Sequence, residues 1–374
     1  MTTENHLAQA KRLIVKIGSA LLVDQESGEL RRSWLEALCD DVAMLRSRNQ
    51  EVLIVSSGAV ALGRATLGWL GRSLRLEEKQ AAASVGQIQL AYLYQQILGR
   101  HGIAVGQILL TLQDTEARRR HLNARATLHQ LVAQGVVPVI NENDTVTTSE
   151  IRFGDNDRLA ARVAQMTSAD TLVLLSDIDG LYTADPRVDP EARHLEEVRE
   201  ITPEIEAMAG VAQPGISTGG MVTKLGAARI AMSAGCGMII ANGKLLNPLA
   251  AIGNGARTTW FAPSAEPLTA RKRWIAGSVA PAGSVTVDDG AATALSDGKS
   301  LLPAGVVAVE GRFDRGDAIL VRRRDGTNIG LGLSAYASDD VGRILGQKSK
   351  NIEAILGFRG RDEIIHRDDL VIGG

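Results

Sequence analysis

The strongest constraint on this chain is a set of short aliphatic runs that carry no polar face. Leu13-Ile14-Val15, Val52-Leu53-Ile54-Val55, Val136 to Ile140, Leu172 to Leu175 and Met238-Ile239-Ile240 are compact and rich in branched side chains. A half-exposed strand alternates apolar with polar positions, whereas a strand covered on both faces, as in a parallel sheet, does not. Between the runs lie stretches of helical period. Leu35, Leu38, Val42 and Leu45 form one apolar stripe, and residues 78–98 and 121–133 are rich in alanine and leucine at helical spacing. Strand and helix alternate in this way over residues 10–262, which predicts an α/β domain built as a three-layer αβα sandwich.

The texture changes twice after that. Residues 263–283 break the periodicity with prolines and small side chains, as an interdomain connector does, with a short helix expected around Arg271 to Ile275. In residues 284–374, short strands are expected at Ser284 to Val287, Val306 to Val309, Ala318 to Val321 and Ile329 to Leu333. Turn residues separate them, the pattern of a small β-barrel-like module.

Charge and cysteine usage remove several function classes. Lysine plus arginine number 41 against 43 acidic residues, a net charge of -2, so no overall bias points to nucleic acid. Cys39 and Cys236 stand alone and far apart, which fits a reducing compartment rather than a disulfide framework or a thiolate metal site. The N-terminus has no apolar signal core, and no stretch approaches the ~20 apolar residues of a membrane span. The expected location is the cytoplasm, with no membrane partner. Only nine of the 41 basic residues are lysine, which draws attention to any lysine in an apolar, glycine-flanked setting.

In an open α/β sheet, ligands bind at the carboxyl ends of the strands, so the residues that follow each run carry the chemistry. Lys16-Ile17-Gly18-Ser19 closes the first run; Gly18 admits a phosphate close to the backbone and Lys16 can set its ammonium beside it. A lysine snorkelling from a strand end fits the same spacing equally well. Ser56-Ser57-Gly58-Ala59 offers backbone donors to an anion, or merely caps a helix. Asn141-Glu142-Asn143-Asp144 and Phe153-Gly154-Asp155-Asn156-Asp157 crowd amides and carboxylates behind a buried strand. Such groups can bind an amino group, and an aspartate there can hold two lysine ammoniums; the alternative is a pair of solvated turns. Ser176-Asp177, followed by Gly180 to Pro186, forms a turn suited to a base or ribose, or an ordinary turn. Ser217-Thr218-Gly219-Gly220-Met221-Val222-Thr223-Lys224 precedes a helix expected over Leu225 to Ala234, and reads either as an anion cradle with Lys224 in reach or as a flexible loop.

Two further motifs are set aside. His366-Arg367-Asp368-Asp369-Leu370 has the start of a protein-kinase catalytic loop but neither the asparagine nor the D-F-G that must follow. Gly342 to Ser349 lacks P-loop spacing.

Taken in order, K-I-G-S, S-S-G-A, V-I-N-E-N-D, F-G-D-N-D, L-Y-T-A-D-P and T-G-G-M-V-T-K resemble the amino-acid kinase family, most closely its glutamate-phosphorylating members. The C-terminal module resembles a PUA domain. The resemblance spans almost the whole chain. It implies transfer of the ATP γ-phosphoryl group, with Mg²⁺, to the side-chain carboxylate of L-glutamate, the first step of proline synthesis, with proline as inhibitor. By the same resemblance Lys16 and Lys224 stabilise the transferring group and Asp157 positions them. Ser57, Asp144, Asn156, Asn141 and Asp155 belong to the glutamate site. Lys16, Gly18, Ser176, Asp177, Thr218, Gly219, Gly220, Met221, Val222, Thr223 and Lys224 belong to the ATP site. A homo-oligomer and contact with the next enzyme of the pathway are also implied. Ala20 and Ser217 depart from the family pattern, which puts one phosphate contact and the stiffness of the nucleotide loop in question. A carboxylate is already nucleophilic at neutral pH, so this chemistry needs positioning and charge stabilisation rather than a general base.

N-acetylglutamate, aspartate or a nucleotide are the alternative acceptors within that fold. A PUA-like module also raises RNA binding, through Arg322-Arg323-Arg324 and Gln347 to Lys350. Without aromatic interleaving, such runs read as solvated faces, and RNA is not an expected partner.

Overall fold

The computed structural model of the chain describes residues 3–24, 26–147, 155–210, 220–267 and 281–373, with isolated positions between 268 and 280. Two compact units result, Met1–Pro267 and Leu268–Gly374. The expected helix around Arg271 to Ile275 lies largely outside the described residues.

In the first unit the strands are β1 (Arg12–Ile17), β2 (Glu51–Val55), β3 (Val105–Leu110), β4 (Val137–Glu142), β5 (Thr171–Ser176), β6 (Leu181–Tyr182), β7 (His194–Leu195), β8 (Glu197–Val198), β9 (Gly237–Asn242) and β10 (Thr258–Phe261). The helices are α1 (Thr3–Gln9), α2 (Ser19–Leu22), α3 (Arg32–Ser47), α4 (Ala59–Thr66), α5 (Leu76–Gly99), α6 (Leu112–Glu116), α7 (Arg118–Ala133), α8 (Asp155–Thr167), α9 (Pro203–Met208), α10 (Met221–Ser233) and α11 (Pro248–Gly253). Eight strands form one sheet in the order β3-β4-β2-β1-β5-β9-β10-β8. Only the β9–β10 pairing is antiparallel.

Successive side chains of a strand face opposite ways, and here both ways are core. Leu13, Val15 and Ile17 of β1 pack with Leu35 and Leu38 of α3 and Leu90 and Tyr94 of α5. Ile14 faces the other layer, with Leu159 and Val163 of α8 and Leu225 and Ala228 of α10. The three-layer sandwich therefore follows from runs that are apolar at both parities. One consequence reaches the site: Lys16 shares the parity of Ile14, so it rises from β1 on the side of α8 and α10.

Three features differ from the sequence reading. Strands β3 and β10 were not among the expected runs. Gly106 and Gln107 dilute the first, and Thr258 and Thr259 the second. Buried Thr259 is tolerated because its hydroxyl accepts from the Leu181 amide at 2.7 Å and donates to the Leu195 carbonyl at 2.5 Å. Helix α10 begins at Met221 rather than Leu225, which moves Lys224 from a loop into the first helical turn.

Helices α4 and α5 meet at backbone contact. A Cβ on Gly63 would lie 1.8 Å from the Ala82 carbonyl oxygen, and one on Gly86 would lie 1.8 Å from that of Ala59. Ala59 opens α4 directly after Gly58, whose φ of +102° only glycine adopts without strain. The glycine pair thus clamps the β2–α4 turn onto α5.

The second unit holds a separate core around Val285, Val287, Ile319, Val321 and Ile364. Its five-stranded sheet runs β12-β11-β13-β14-β15, formed by β11 (Gly283–Val287), β12 (Val306–Gly311), β13 (Ala318–Arg322), β14 (Asn328–Leu333) and β15 (Leu370–Ile372). The kinase-like His366-to-Leu370 segment is a short 3₁₀ turn, Arg367–Asp369, leading into β15. Arg322, in the basic run, is engaged by Asn328 and Glu310.

Replacing Gly86 with alanine forces α4 and α5 apart. Gly86→Ala is expected to lower the unfolding free energy by about 2 kcal/mol, read as a reduced midpoint in chemical denaturation.

Candidate active site

Parallel strands bring their carboxyl ends to one edge of the sheet. From β4 to β9 that edge presents Asn141 to Asp144, then Ser56 to Gly58 after β2, Lys16 and Gly18 at β1, and Ser176-Asp177 at β5. The first turns of α8 and α10 reach it through Asn156, Asp157, Thr223 and Lys224.

Asp157 is the centre of this edge. Its carboxylate is wholly buried and lies 2.5 Å from Lys16 Nζ and 3.7 Å from Lys224 Nζ. Thr223 Oγ1 donates to the same carboxylate at 2.9 Å, also contacting the Gly220 carbonyl at 2.8 Å. Burial pushes the Asp157 carboxyl up, but the Lys16 and Lys224 charges and these hydrogen bonds outweigh it and hold the group below the usual carboxylate range. Burial pushes the Lys224 ammonium below the usual lysine range, Asp157 opposing and Lys16 adding to the shift.

Two nearly buried lysines share one buried carboxylate, so the trio carries an excess positive charge in a place of low polarity. A Cβ built on Gly18 would meet nothing within 4 Å except Lys16 Nζ, at 3.9 Å. The side-chain position that glycine leaves empty is thus a space beside an ammonium, which an anionic oxygen suits. Gly18 itself has an ordinary extended backbone, φ −75° and ψ 151°, so this space rather than backbone strain is what the glycine provides.

On the β2–β4 side the site is built of amides. Asn156 Nδ2 donates to Ser57 Oγ at 2.6 Å and lies 3.3 Å from both the Ser56 carbonyl and Asn141 Oδ1. Asn141, which lies within β4 rather than in the loop, also accepts from the Glu142 amide at 2.9 Å. Its Nδ2 donates to Gln87 Oε1 on α5 at 2.7 Å. Asn156 Oδ1 and Gln87 Nε2 are buried and have no partner among the described residues. Ser56 is fixed by a 3.0 Å hydrogen bond with the buried Tyr94 hydroxyl. Asp144 is half-buried, and burial pushes its carboxyl up to about 6, its own backbone amide opposing.

On the β5 side, Ser176 Oγ donates to Asp177 Oδ1 at 3.1 Å, and Arg187 approaches Asp177 at 3.8 Å while pairing with Asp185 at 3.0 Å. Asp185 and Arg187 lie in the connection between β6 and β7, the small antiparallel hairpin that follows Asp177.

The structure therefore gathers Lys16, Gly18, Ser57, Asn141, Asn156, Asp157, Thr223 and Lys224 around one edge. Thr218 and Gly219, with Ser217, Phe153 and Gly154, lie outside the described residues, as does the side chain of Asp155. Gly220 caps α10, and Met221 and Val222 form its first turn. Gln87 and Tyr94 had no sequence signal beyond being polar atoms in an alanine- and leucine-rich helix. Among the described residues, no group of three or more His, Cys, Asp or Glu side chains is placed to hold a metal ion, and no helix is long and apolar enough to cross a membrane.

The sequence model of the amino acid kinase family matches residues 11–242, and that of the PUA domain residues 283–356. The chain belongs to the amino acid kinase family. Its similarity to curated members extends over nearly its full length. It is 63% identical over 368 residues to a glutamate 5-kinase of Paramagnetospirillum magneticum (strain ATCC 700264 / AMB-1), covering 98% of this chain and 99% of that one. It is 60% identical over 372 residues to a glutamate 5-kinase of Agrobacterium fabrum (strain C58 / ATCC 33970), covering 100% of this chain and 95% of that one. Among solved structures, carbamate kinase from Giardia lamblia bound to AMP-PNP superposes with a TM-score of 0.50 at 15% identity, over 69% of this chain and 100% of that one. That likeness is one of fold. The amino acid kinase fold and the following PUA domain are the architecture that the family resemblance implied, and they agree with the three-layer α/β domain and small β-rich module expected from the runs and the change of texture.

Removing the shared charge leaves two buried ammoniums facing each other. Asp157→Asn is expected to lower stability by about 3 kcal/mol, measured by denaturant unfolding at pH 7. Because the folded carboxyl is held below its unfolded value, this contribution is complete above about pH 4 and is lost as pH falls through the depressed folded value. The wild type and the variant should accordingly converge in acid.

Proposed function

We propose that this amino acid kinase transfers the γ-phosphoryl group of ATP to the side-chain carboxylate of L-glutamate, giving L-glutamyl 5-phosphate, the first step of proline synthesis. The observation that carries the reading is the single carboxylate of Asp157, which holds Lys16 and Lys224 between an amide-rich half of the edge and a half suited to a nucleotide. The high identity to glutamate 5-kinases over nearly the full chain supports glutamate as the acceptor.

Strand order sets the layout. Asn141 and Asp144 at β4, Ser57 after β2 and Asn156 of α8 bind the amino acid; Ser176 and Asp177 at β5, with Gly18 and the Thr218-to-Lys224 segment, hold the nucleotide; Lys16 at β1 stands between them. Ser57, Asn141, Asp144, Asp155 and Asn156 are the glutamate-binding groups, Asp144 pairing with the α-ammonium. Neighbouring strands are about 4.8 Å apart, so an acid held by its head group at β4 and β2 extends its side chain towards β1.

A glutamate carboxylate oxygen attacks the γ-phosphorus, a new O–P bond forms, and the bond to the β-phosphate bridging oxygen breaks with ADP leaving. Charge spreads over the equatorial oxygens of the transferring group, and the barrier falls as fixed cations meet it. Lys16 and Lys224 supply that charge, and Asp157 keeps both ammoniums aimed without itself gaining or losing a proton. The Asp157 oxygens are already engaged by Lys16, Lys224 and Thr223, so these side chains do not make a resident metal cage. Mg²⁺ belongs to the nucleotide substrate, carried on its phosphate oxygens.

Proline, sharing an α-carboxylate and ammonium with glutamate, is read as an inhibitor that competes at the Asp144 end of the site. Inhibition that persists unchanged in an Asp144 variant unable to bind glutamate would remove that overlap. A cytoplasmic homo-oligomer in contact with the next enzyme of the pathway completes the reading.

A coupled assay of ATP turnover with glutamate, N-acetylglutamate and aspartate tests the function, and turnover with either of the latter but not with glutamate overturns it. In folded protein, Lys16→Ala and Lys224→Ala are each expected to lower kcat by ~10²-fold or more. Near-normal kcat in both would end the electrostatic mechanism.

The Asp144 carboxyl supplies a pH signature. Above about 6 it is ionised and attracts the substrate ammonium; below that it is neutral and does not. The kcat/KM for glutamate should fall about tenfold per pH unit below that value, a limb absent from Asp144→Asn.

A further inference from the structure

We propose that Gln87 is a substrate-binding residue: its side-chain N–H is the donor end, and Asn156 Oδ1 the acceptor end, of a buried amide relay matched to the α-carboxylate and α-ammonium of a free amino acid. The proposal rests on the amino-acid-binding reading of this site and adds a residue to it.

The polarity of the relay is fixed by the backbone. The Glu142 N–H donates to Asn141 Oδ1 at 2.9 Å, and Asn156 Nδ2 approaches the same oxygen at 3.3 Å. Turning the Asn141 amide over would set its NH₂ against two donors. Its Nδ2 must therefore point to Gln87, and the 2.7 Å contact requires Gln87 to present Oε1. That leaves Gln87 Nε2 as a donor with no partner among the described residues, in a residue 8% exposed. On the other arm, Asn156 commits its NH₂ to Ser57 Oγ, the Ser56 carbonyl and Asn141 Oδ1, which leaves Oδ1 as an acceptor without a partner.

A buried polar atom without a partner bears its full desolvation penalty, so an empty donor and an empty acceptor at the two ends of one relay ask for a ligand that fills both. A zwitterionic head group does so. The carboxylate takes the donor and the ammonium takes the acceptor, with Asp144 adding charge to the second contact. Both arms converge on Asn141, as carboxylate and ammonium converge on one Cα.

The relay is also rigid. Gly86, next to Gln87, is pressed against the Ala59 carbonyl, and Ala59 follows the turn that carries Ser57. Gln87 and Ser57 are thus held to one another through the α4–α5 contact, on opposite arms of the relay.

Calorimetric titration of wild type, Gln87→Glu and Gln87→Met with L-glutamate and with its α-carboxamide, at pH 8 so that the introduced carboxyl is ionised, tests the assignment. In Gln87→Glu one oxygen still accepts from Asn141, which preserves the relay, while the other replaces the donor and faces the α-carboxylate. The preference for glutamate over the α-carboxamide is expected to fall about 30-fold in Gln87→Glu and about tenfold in Gln87→Met, with ATP affinity unchanged. A preference unmoved in both variants overturns the proposal, even if overall affinity drops, because lost packing weakens both ligands alike. Phosphoryl transfer by the wild type separates the two readings. A wild type that binds glutamate with a Gln87-dependent preference but transfers nothing ends the proposed function and leaves Gln87 in place; turnover with an unmoved preference does the reverse.

Discussion

One buried carboxylate organises the catalytic unit. Asp157 stands in the first turn of α8 and meets a lysine from the central strand and a lysine from the first turn of α10. A lysine side chain in the middle of an apolar sheet is costly by itself, and an aspartate with no solvent exposure is costlier. Each is tolerated because the others are present, so three elements far apart in sequence are bound to a common geometry. The same arrangement leaves the site short of negative charge, the condition a transferring phosphoryl group satisfies.

The topology then divides the labour. From β1 the sheet extends through β2 and β4 one way and through β5 and β9 the other, so the site sits where the strand order reverses. Amide side chains gather on one arm and the Ser176-Asp177 turn on the other, with Lys16 at the junction. Backbone contact between α4 and α5 at Gly63 and Gly86 holds the β2–α4 turn in register with α5, which keeps the amide arm rigid. The PUA domain has its own core and sheet. There the kinase-like His366-to-Leu370 motif resolves into the approach to an edge strand, a reminder that a short motif has meaning only on the element its chemistry requires.

Much of the fold was legible because burial on both faces of a strand imposes an apolar residue at every position. Where that condition relaxed, the signal failed. Gly106-Gln107 lies on an edge strand, and Thr258-Thr259 satisfies its hydroxyl internally, so β3 and β10 carried no continuous aliphatic run. The start of α10 was misplaced because Met221 to Lys224 look like the tail of a glycine loop, whereas Gly220 caps a helix whose Thr223 is tied to Asp157. Lys16 was equally a snorkelling strand-end lysine until the parity it shares with Ile14 turned it towards α8 and α10.

The sequence by itself determined the layers, the edge at which ligands gather and the residue types available there, since local period and strand-end chemistry are written in neighbouring residues. Only the tertiary structure decided which groups meet: Lys16, Asp157 and Lys224 are separated by well over a hundred and by dozens of residues, and charge pairing across such spans leaves no local trace. Gln87 shows the limit most plainly. Nothing in its helix distinguishes it from a core glutamine. Its N–H, without a partner among the described residues, becomes visible only once the Glu142 amide has fixed the orientation of Asn141 across the sheet edge.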